Sequence, residues 1–286
     1  MALDDLDEEK VDLAFLVAAL KGANFSSIIT GVAQPQITRQ SLARLKIPLP
    51  PLSEQKRIAG ILDAADALRA KRREALAQLD TLLQSTFLDL FGDPVTNPKG
   101  WGGHPLDHIA KISTGNTPPS RLEGMFDGDI PFVTPGDLKE TWVQTKRTVT
   151  NAGAENSRTV TKGATFVCCI GATIGKMGKA IKTSAFNQQI NAIEWKPDVV
   201  VSDYGLEMMR FFKAKIVKNG ASTTLPILKK SLFQKIQVPT PPLPLQQRFA
   251  AIVEKVEAQK ARMHGQLTEL DTLFAALQQR AFNGEL

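Results

Sequence analysis

The sequence predicts an α+β fold: a compact mixed α/β domain joined to a long antiparallel two-helix coiled coil made from two repeated regions. Three observations carry this prediction. Residues 41–91 recur near the C-terminus, which marks a whole structural unit used twice. Each copy has helical periodicity over a length that a compact domain does not need, and the stretch between them alternates short β-type runs with turn formers.

In chain order, residues 8–21 (EEKVDLAFLVAALK) place Leu13, Leu16, Val17 and Leu20 on one helical face. A glycine-punctuated loop leads through Gly31 to Pro35 and the first repeat. There a run of prolines holds the chain extended, and Ser53 then offers an N-cap with Glu54 in the first turn. Seam positions follow at steps of four and three: Ile58, Leu62, Ala65, Arg69, Arg72, Leu76, Leu79 and Leu83. A helix of roughly 37 residues spans about 55 Å.

The segment after Phe91-Gly92-Asp93-Pro94 opens on the turn-rich Asn97-Pro98-Lys99-Gly100-Trp101. Strands are expected at residues 109–112, 130–133, 141–143, 165–170 and 190–195, and a helix at 203–218. A loop at residues 220–224 precedes the second repeat.

A constant shift of 191 positions carries Pro50-Pro51-Leu52 onto Pro241-Pro242-Leu243, Gln55 onto Gln246, Leu79-Asp80 onto Leu270-Asp271 and Phe91 onto Phe282. The second seam is Phe249, Val253, Val256, Lys260, Met263, Leu267, Leu270 and Phe274. Antiparallel pairing is expected to bring Arg69 and Arg72 to Lys260 and Met263, a cationic layer that needs solvent or an acidic partner. The resulting domains are 1–40, the end of an otherwise absent first domain; 41–92, the first helix region; 93–235, the complete domain; and 236–286, the second helix region.

Charge is concentrated between the repeats. The chain carries +6 overall, and residues 92–235 hold 19 Lys and Arg against 12 Asp and Glu, or +7. A basic domain flanked by near-neutral helices suits an anionic partner, above all nucleic acid. No apolar run reaches the roughly 18 residues that span a bilayer, and the acidic start MALDDLDEEK is unlike a signal peptide, so a cytoplasmic location without membrane contact is expected. Cys168 and Cys169 are adjacent and have no third cysteine to pair with, and read as reduced packing residues.

Catalytic patterns are missing. The stretch 162–176 suggests a phosphate loop but has Ile170 where a glycine is required and Met177 after the lysine, so it reads as strand, glycine turn and strand. Three scattered histidines and Asp127, Asp129 and Asp137 form no motif for a metal or a nucleophile, and there is no S-adenosylmethionine glycine loop. Polar readout chemistry remains. Asn187, Gln188 and Gln189 carry amides of the kind that read adenine edges, and Thr117 is a further candidate for DNA contact. Lys139, Lys146, Arg147, Arg158, Lys176 and Lys179, and Lys213, Lys215 and Lys218 beyond them, are candidates to neutralise phosphate or read guanine.

The paired helix starts PLPPLSEQKRIA and PTPPLPLQQRFA, together with NPKGW, DIPFVTPGDL, IGATIGK and FNQQIN, resemble the specificity subunits of type I restriction-modification systems. The resemblance covers nearly the whole chain. It implies a non-catalytic subunit in which an antiparallel helix pair spaces two target-recognition domains, each reading half of a split double-stranded DNA site. It implies methyltransferase partner subunits that methylate adenine N6 with S-adenosylmethionine, and restriction subunits that use ATP and Mg, so this chain needs no cofactor of its own. With one complete domain, the chain is expected to read one half-site. Self-association or pairing with another specificity fragment would restore a split target. The alternative is a remnant that sequesters methyltransferase subunits as a regulator or inhibitor.

Overall fold

The computed structural model describes residues 6–31, 34–119, 121–139, 141–220 and 225–286; the expected loop over 221–224 lies outside them. The chain divides into two compact units, one of residues 1–80 with 257–286 and the other of residues 81–256. This division cuts both long helices, because each helix belongs partly to one unit and partly to the other. Among the described residues no helix is long and apolar enough to cross a membrane.

The first unit holds α1 (Leu13–Gly22), a 3-10 turn (Phe25–Ser27), α2 (Arg39–Leu42) and the start of α3 (Leu52–Phe91). Asp12 caps α1 by accepting from the Phe15 N–H. The buried side of α1 is Phe15 and Ala19, while Leu13 is 63% and Val17 42% exposed. This corrects the expected apolar face: the helix is apolar nearly all round, so periodicity alone did not settle which stripe is buried. Helix α3 begins at Leu52, placing Ser53 inside the first turn instead of at the cap, and the Pro51 carbonyl accepts from the Glu54 and Gln55 N–H groups.

The second unit contains β1 (Gly103–Pro105), α4 (Leu106–Ile109), β2 (Ala110–Thr114), β3 (Phe126–Val133), β4 (Trp142–Val143), β5 (Thr148–Val149), α5 (Asn151–Glu155) and β6 (Thr159–Val160). It continues with β7 (Thr165–Cys168), β8 (Met177–Ala180), β9 (Ser184–Phe186), β10 (Ile190–Trp195), α6 (Ser202–Phe211), α7 (Lys213–Gly220), α8 (Lys230–Phe233) and β11 (Gln237–Pro239). Helix α9 (Leu243–Asn283) then closes the chain. One sheet has the order β2-β10-β7-β8-β4, a second β5-β3-β9-β6, and β1 pairs with β11. All five expected strands are present, and β8 is the second strand expected after the glycine turn; β5, β6, β9 and the β1-β11 pair are additional and short.

The two larger sheets share a core. Phe166, Cys168, Ala180, Ile190 and Ala192 from the first meet Val133, Val160 and Phe186 from the second. Burial at every position of β7 explains its unbroken apolar run Phe166-Val167-Cys168, whereas β10 carries Asn191 and Glu194 among its apolar residues and is buried only over its first four. Helix α6 lies on β7 and β8, and Gly205 is there because a Cβ would come within 2.4 Å of the Trp195 ring. Cys168 and Cys169 are both buried, and burial pushes the Cys169 thiol up to about 12. At about pH 8, where ordinary thiols ionise, neither cysteine is expected to react with a thiol reagent until the unit unfolds. Labelling followed against denaturant checks this, and rapid native labelling would contradict it.

Both ends of the repeat use one device. The buried Gln55 side chain accepts from the Asp12 N–H at 2.9 Å and donates to the Lys10 and Pro50 carbonyls, each at 2.8 Å. In the second unit, buried Gln246 accepts from the Val201 N–H at 2.9 Å and donates to the carbonyls of Val199 at 3.0 Å and Pro241 at 2.7 Å. Each glutamine thus ties the extended segment before its own helix to the backbone that starts α1 or α6. The aromatic packing repeats as well: Phe15 lies against Phe282 at 5.5 Å, and Tyr204 against Phe91 at 4.7 Å.

The long helices run antiparallel, but not in the expected register. Within the first unit Arg69 meets Asp271 at 2.6 Å and Lys260 meets Asp80 at 2.8 Å. The shift of 191 carries Arg69 to Lys260 and Asp80 to Asp271, so these are one contact made twice. The cations therefore face carboxylates, and the cationic layer does not form. Arg69 also lies over the Phe274 ring at 4.3 Å. Burial opposes the charge on Lys260, yet Asp80 and Glu257 outweigh it and raise the ammonium above its ordinary value. Of the expected seam residues, Ile58, Leu62, Leu76, Leu83, Phe249 and Val253 are buried, and Leu79, Leu267, Leu270 and Phe274 are half-buried.

Candidate nucleic-acid interface

Strand direction gathers the candidate residues. In the first larger sheet β2, β10, β7 and β8 are successively antiparallel, so β2 and β7 end where β10 and β8 begin. In the second, β3 and β9 run parallel and β6 runs against them, so β3 and β9 end where β6 begins. Residues 187–189 link the end of β9 to the start of β10, which puts both sets of turns at one end of the unit. That end carries the loops 115–118, 134–137, 156–158, 169–176 and 187–189.

Hydrogen bonds lock these loops together. Thr117 Oγ1 donates to Gln188 Oε1 at 2.9 Å, with both residues exposed. Asn116 Nδ2 donates to the Asn156 carbonyl at 2.8 Å, and its Oδ1 accepts from the Arg158 N–H at 2.7 Å. Asn187 Oδ1 accepts from the Gln189 N–H, and Asn187 Nδ2 donates to Gln189 Oε1, each at 3.1 Å. The Cys169 N–H donates to the Gln189 carbonyl at 2.8 Å, fastening the 169–176 turn to the same group. Gly115 permits the first of these approaches, since a Cβ there would sit 2.3 Å from the Phe186 and Asn187 carbonyl oxygens.

The 169–176 turn joins β7 to β8, the strand, glycine turn and strand expected from the sequence, with Gly171 and Gly175 at φ of 91° and 85°. Lys176 is half-buried at its end. Arg147 is exposed and lies over the rings of Phe126 and Phe132 at 5.0 and 5.2 Å, contacts that hold its guanidinium. Lys146 is exposed beside it, and exposed Lys139 borders a shallow hollow with Gly136, Asp137, Trp142 and Gln144. Among the described residues no hydrogen bond joins the side chains of Lys139, Lys146 or Arg147 to the Thr117–Gln188 group.

Lys179 has a different position from the one expected. It is buried, its ammonium bonds Asp203 on α6 at 2.5 Å, and it lies 4.4 Å from the Trp142 ring centre. A buried, paired ammonium ties β8 to α6 and does not present a cation to phosphate. Sequence reasoning missed it because Lys176 and Lys179 look alike until β8 is seen to begin at Met177. It also missed Asn116, whose only sequence signal is the turn-rich run STGNTPP.

Two of the resembling motifs turn out to be structural. In NPKGW, Trp101 Nε1 donates to the Phe91 carbonyl, and Lys99 Nζ donates to the carbonyls of Asp89 and Leu90, so the motif caps the C-terminus of α3. In DIPFVTPGDL, Asp137 accepts from the Thr134 N–H at 2.8 Å and from its hydroxyl at 2.7 Å, fixing the turn after β3.

The family model described as type I restriction modification DNA specificity domain matches residues 2–78 and 98–272. The chain is 24% identical over 285 residues to the type I restriction enzyme MjaIX specificity subunit of Methanocaldococcus jannaschii, covering 90% of this chain and 64% of that protein. It is 28% identical over 199 residues to the HindI specificity subunit of Haemophilus influenzae, covering 66% of this chain and 42% of that protein. The chain therefore spans less than two thirds of the length of these relatives. Among solved structures, the type I restriction-modification S subunit from M. genitalium superposes with a TM-score of 0.63 at 18% identity, over 97% of this chain and 74% of that one. The HsdS subunit from Thermoanaerobacter tengcongensis superposes with a TM-score of 0.51 at 22% identity, over 98% and 72%. At these identities the two structures establish the fold.

Proposed function

Because the chain belongs to the family of type I restriction modification DNA specificity domains, we propose that it directs a restriction-modification complex by reading one half-site of double-stranded DNA through the loop end of residues 81–256. The observation that carries this is the hydrogen-bonded group of Thr117, Asn187, Gln188 and Gln189. Gln188 is exposed and Asn187 and Gln189 are half-buried, and amides held in place by neighbours lose little freedom on meeting a base edge, which is what direct readout needs. Lys139, Lys146, Arg147, Arg158 and Lys176 flank these amides as phosphate or guanine contacts. Lys179 is not among them. The chain is non-catalytic in this reading and works in the cytoplasm. Adenine methylation with S-adenosylmethionine, and ATP- and Mg-dependent cleavage, belong to methyltransferase and restriction subunits.

A second feature favours pairing with another specificity fragment. The repeat carries α1 onto α6 by a shift of 189, so Val17 and Leu20 match Leu206 and Met209. Leu206 is 1% and Met209 0% exposed, whereas Val17 is 42% exposed. The matching face of α1 thus has room for the kind of sheet that covers α6. In a mixture with a methyltransferase subunit and S-adenosylmethionine, methylated adenines are expected at one short fixed sequence, or at a split one when a second fragment is added. Absence of both a complex and any fixed sequence would refute the proposal.

A further inference from the structure

We propose that α7 is a phosphate-holding arm whose Lys213, Lys215 and Lys218 grip the backbone of duplex DNA beside the base-reading loops, whatever the sequence there. This rests on the DNA-reading role above and adds a separate surface to it. Helix α7 is seated on the 169–176 turn. Ile174 lies against Gly220 at its end, and the segment just after it is fastened to the same turn, where the Gly171 N–H donates to the Pro226 carbonyl and Ile170 bridges Ile227. A Cβ on Gly175 would meet Lys213 Cγ at 3.0 Å and Val217 Cγ2 at 3.1 Å, so Lys213 crosses the turn next to Lys176. Helix α7 therefore continues the surface of the loop end.

Its charges have no acidic partner, and the one favourable contact of a lysine ammonium there is Lys215 over the Phe212 ring at 5.7 Å among the described residues. Ile216 and Gly220 are the buried stripe, and all three lysines are exposed. Among the described residues no carboxylate lies within 4.0 Å of any of them. The first turn holds no acidic residue, and Lys213 begins the helix, where the positive end of the dipole repels a cation. Such an arrangement is unfavourable in isolation and favourable against a polyanion.

The first copy supplies an internal comparison. Lys213–Gly220 reads KAKIVKNG; the stretch 189 positions earlier, Asn24–Gly31, reads NFSSIITG and has no lysine or arginine. Both stretches follow the repeated helix, but only the one beside a complete sheet is basic. Supporting the helix pair does not require these lysines. A duplex lying across the loop end accounts for them.

The test is the salt dependence of binding by the full chain to a pool of duplexes with randomised centres. In the variant Lys213→Gln/Lys215→Gln/Lys218→Gln, the slope of log affinity against log salt is expected to fall by about 2 to 3, since each phosphate contact contributes about 0.9. Affinity should drop equally for every sequence, leaving the enriched bases unchanged. The arginine version of the same three positions should keep the parent slope. An unchanged slope in the glutamine variant, with the parent still binding, would overturn the arm and return the lysines to a solvated face or to an acidic protein partner. Failure of the parent to bind any duplex would instead sink the DNA-reading role itself.

Discussion

Replacing Phe87 by alanine is expected to destabilise the sheet-bearing unit by about 3–5 kcal/mol, the range for a fully buried aromatic. Phe87 is 0% exposed and lies 4.8–5.5 Å from the rings of Phe91, Tyr204, Phe211 and Phe249. It is the point where the end of α3, the start of α9 and helix α6 meet, so the space left by its ring has rigid walls on every side. Trp101, Trp142 and Trp195 are the three tryptophans of the chain, and all lie in residues 81–256. Denaturant unfolding followed by their fluorescence therefore reports this unit. Leu82→Ala serves as the control: Leu82 is on the same helix but 48% exposed, and its loss should cost under about 0.5 kcal/mol. Equal midpoints for the two variants would contradict the packing described.

The second large effect is expected at Gln246. Gln246→Leu keeps the bulk and removes the amide, leaving the Val201 N–H and the Val199 and Pro241 carbonyls without their partner. A buried group left unpaired costs about 1–3 kcal/mol, so about 3 kcal/mol or more is expected in total. The same unfolding measurement reads it. Hydrogen exchange adds a local signature, because the Val201 N–H should lose protection before the strands do. Loss of stability without faster exchange at Val201 would mean that Gln246 acts through packing alone. By the repeat, Gln55→Leu should release the Asp12 N–H in the first unit in the same way.

The long helices were legible because a repeat shows itself twice, and Gln55 and Gln246 stood in it as matched positions. Their task was not legible, since a glutamine in an amphipathic helix looks the same whether it meets water or three backbone groups. Register failed for a related reason. Heptad spacing fixes which residues face the partner helix but not how far the two helices slide, and a slide sets which charges meet. Asp80 and Asp271 lie outside the seam pattern, so the ion pairs that fix the register were invisible to it. In the sheet-bearing unit, β2, β3, β7 and β10 were readable as runs of strand formers and the short β4 from Thr141-Trp142-Val143, whereas β5 and β6 were not. They exist through their neighbours in the sheet. The site residues followed the same division. Asn187, Gln188 and Gln189 were identifiable as a polar run, whereas the different fates of Lys176 and Lys179 depended on where a turn ends and β8 begins.

The central claim is that the Thr117–Gln188 group reads bases, and selection from a pool of duplexes with randomised centres tests it most directly. The parent chain and Gln188→Ala are to be compared by sequencing the retained DNA. The expected result is a short enriched sequence for the parent, with preference relaxed at one or two positions in the variant at a discrimination cost of about 1–3 kcal/mol per base pair, and the remaining positions unchanged. A variant that enriches the same sequence as its parent at every position would contradict the claim.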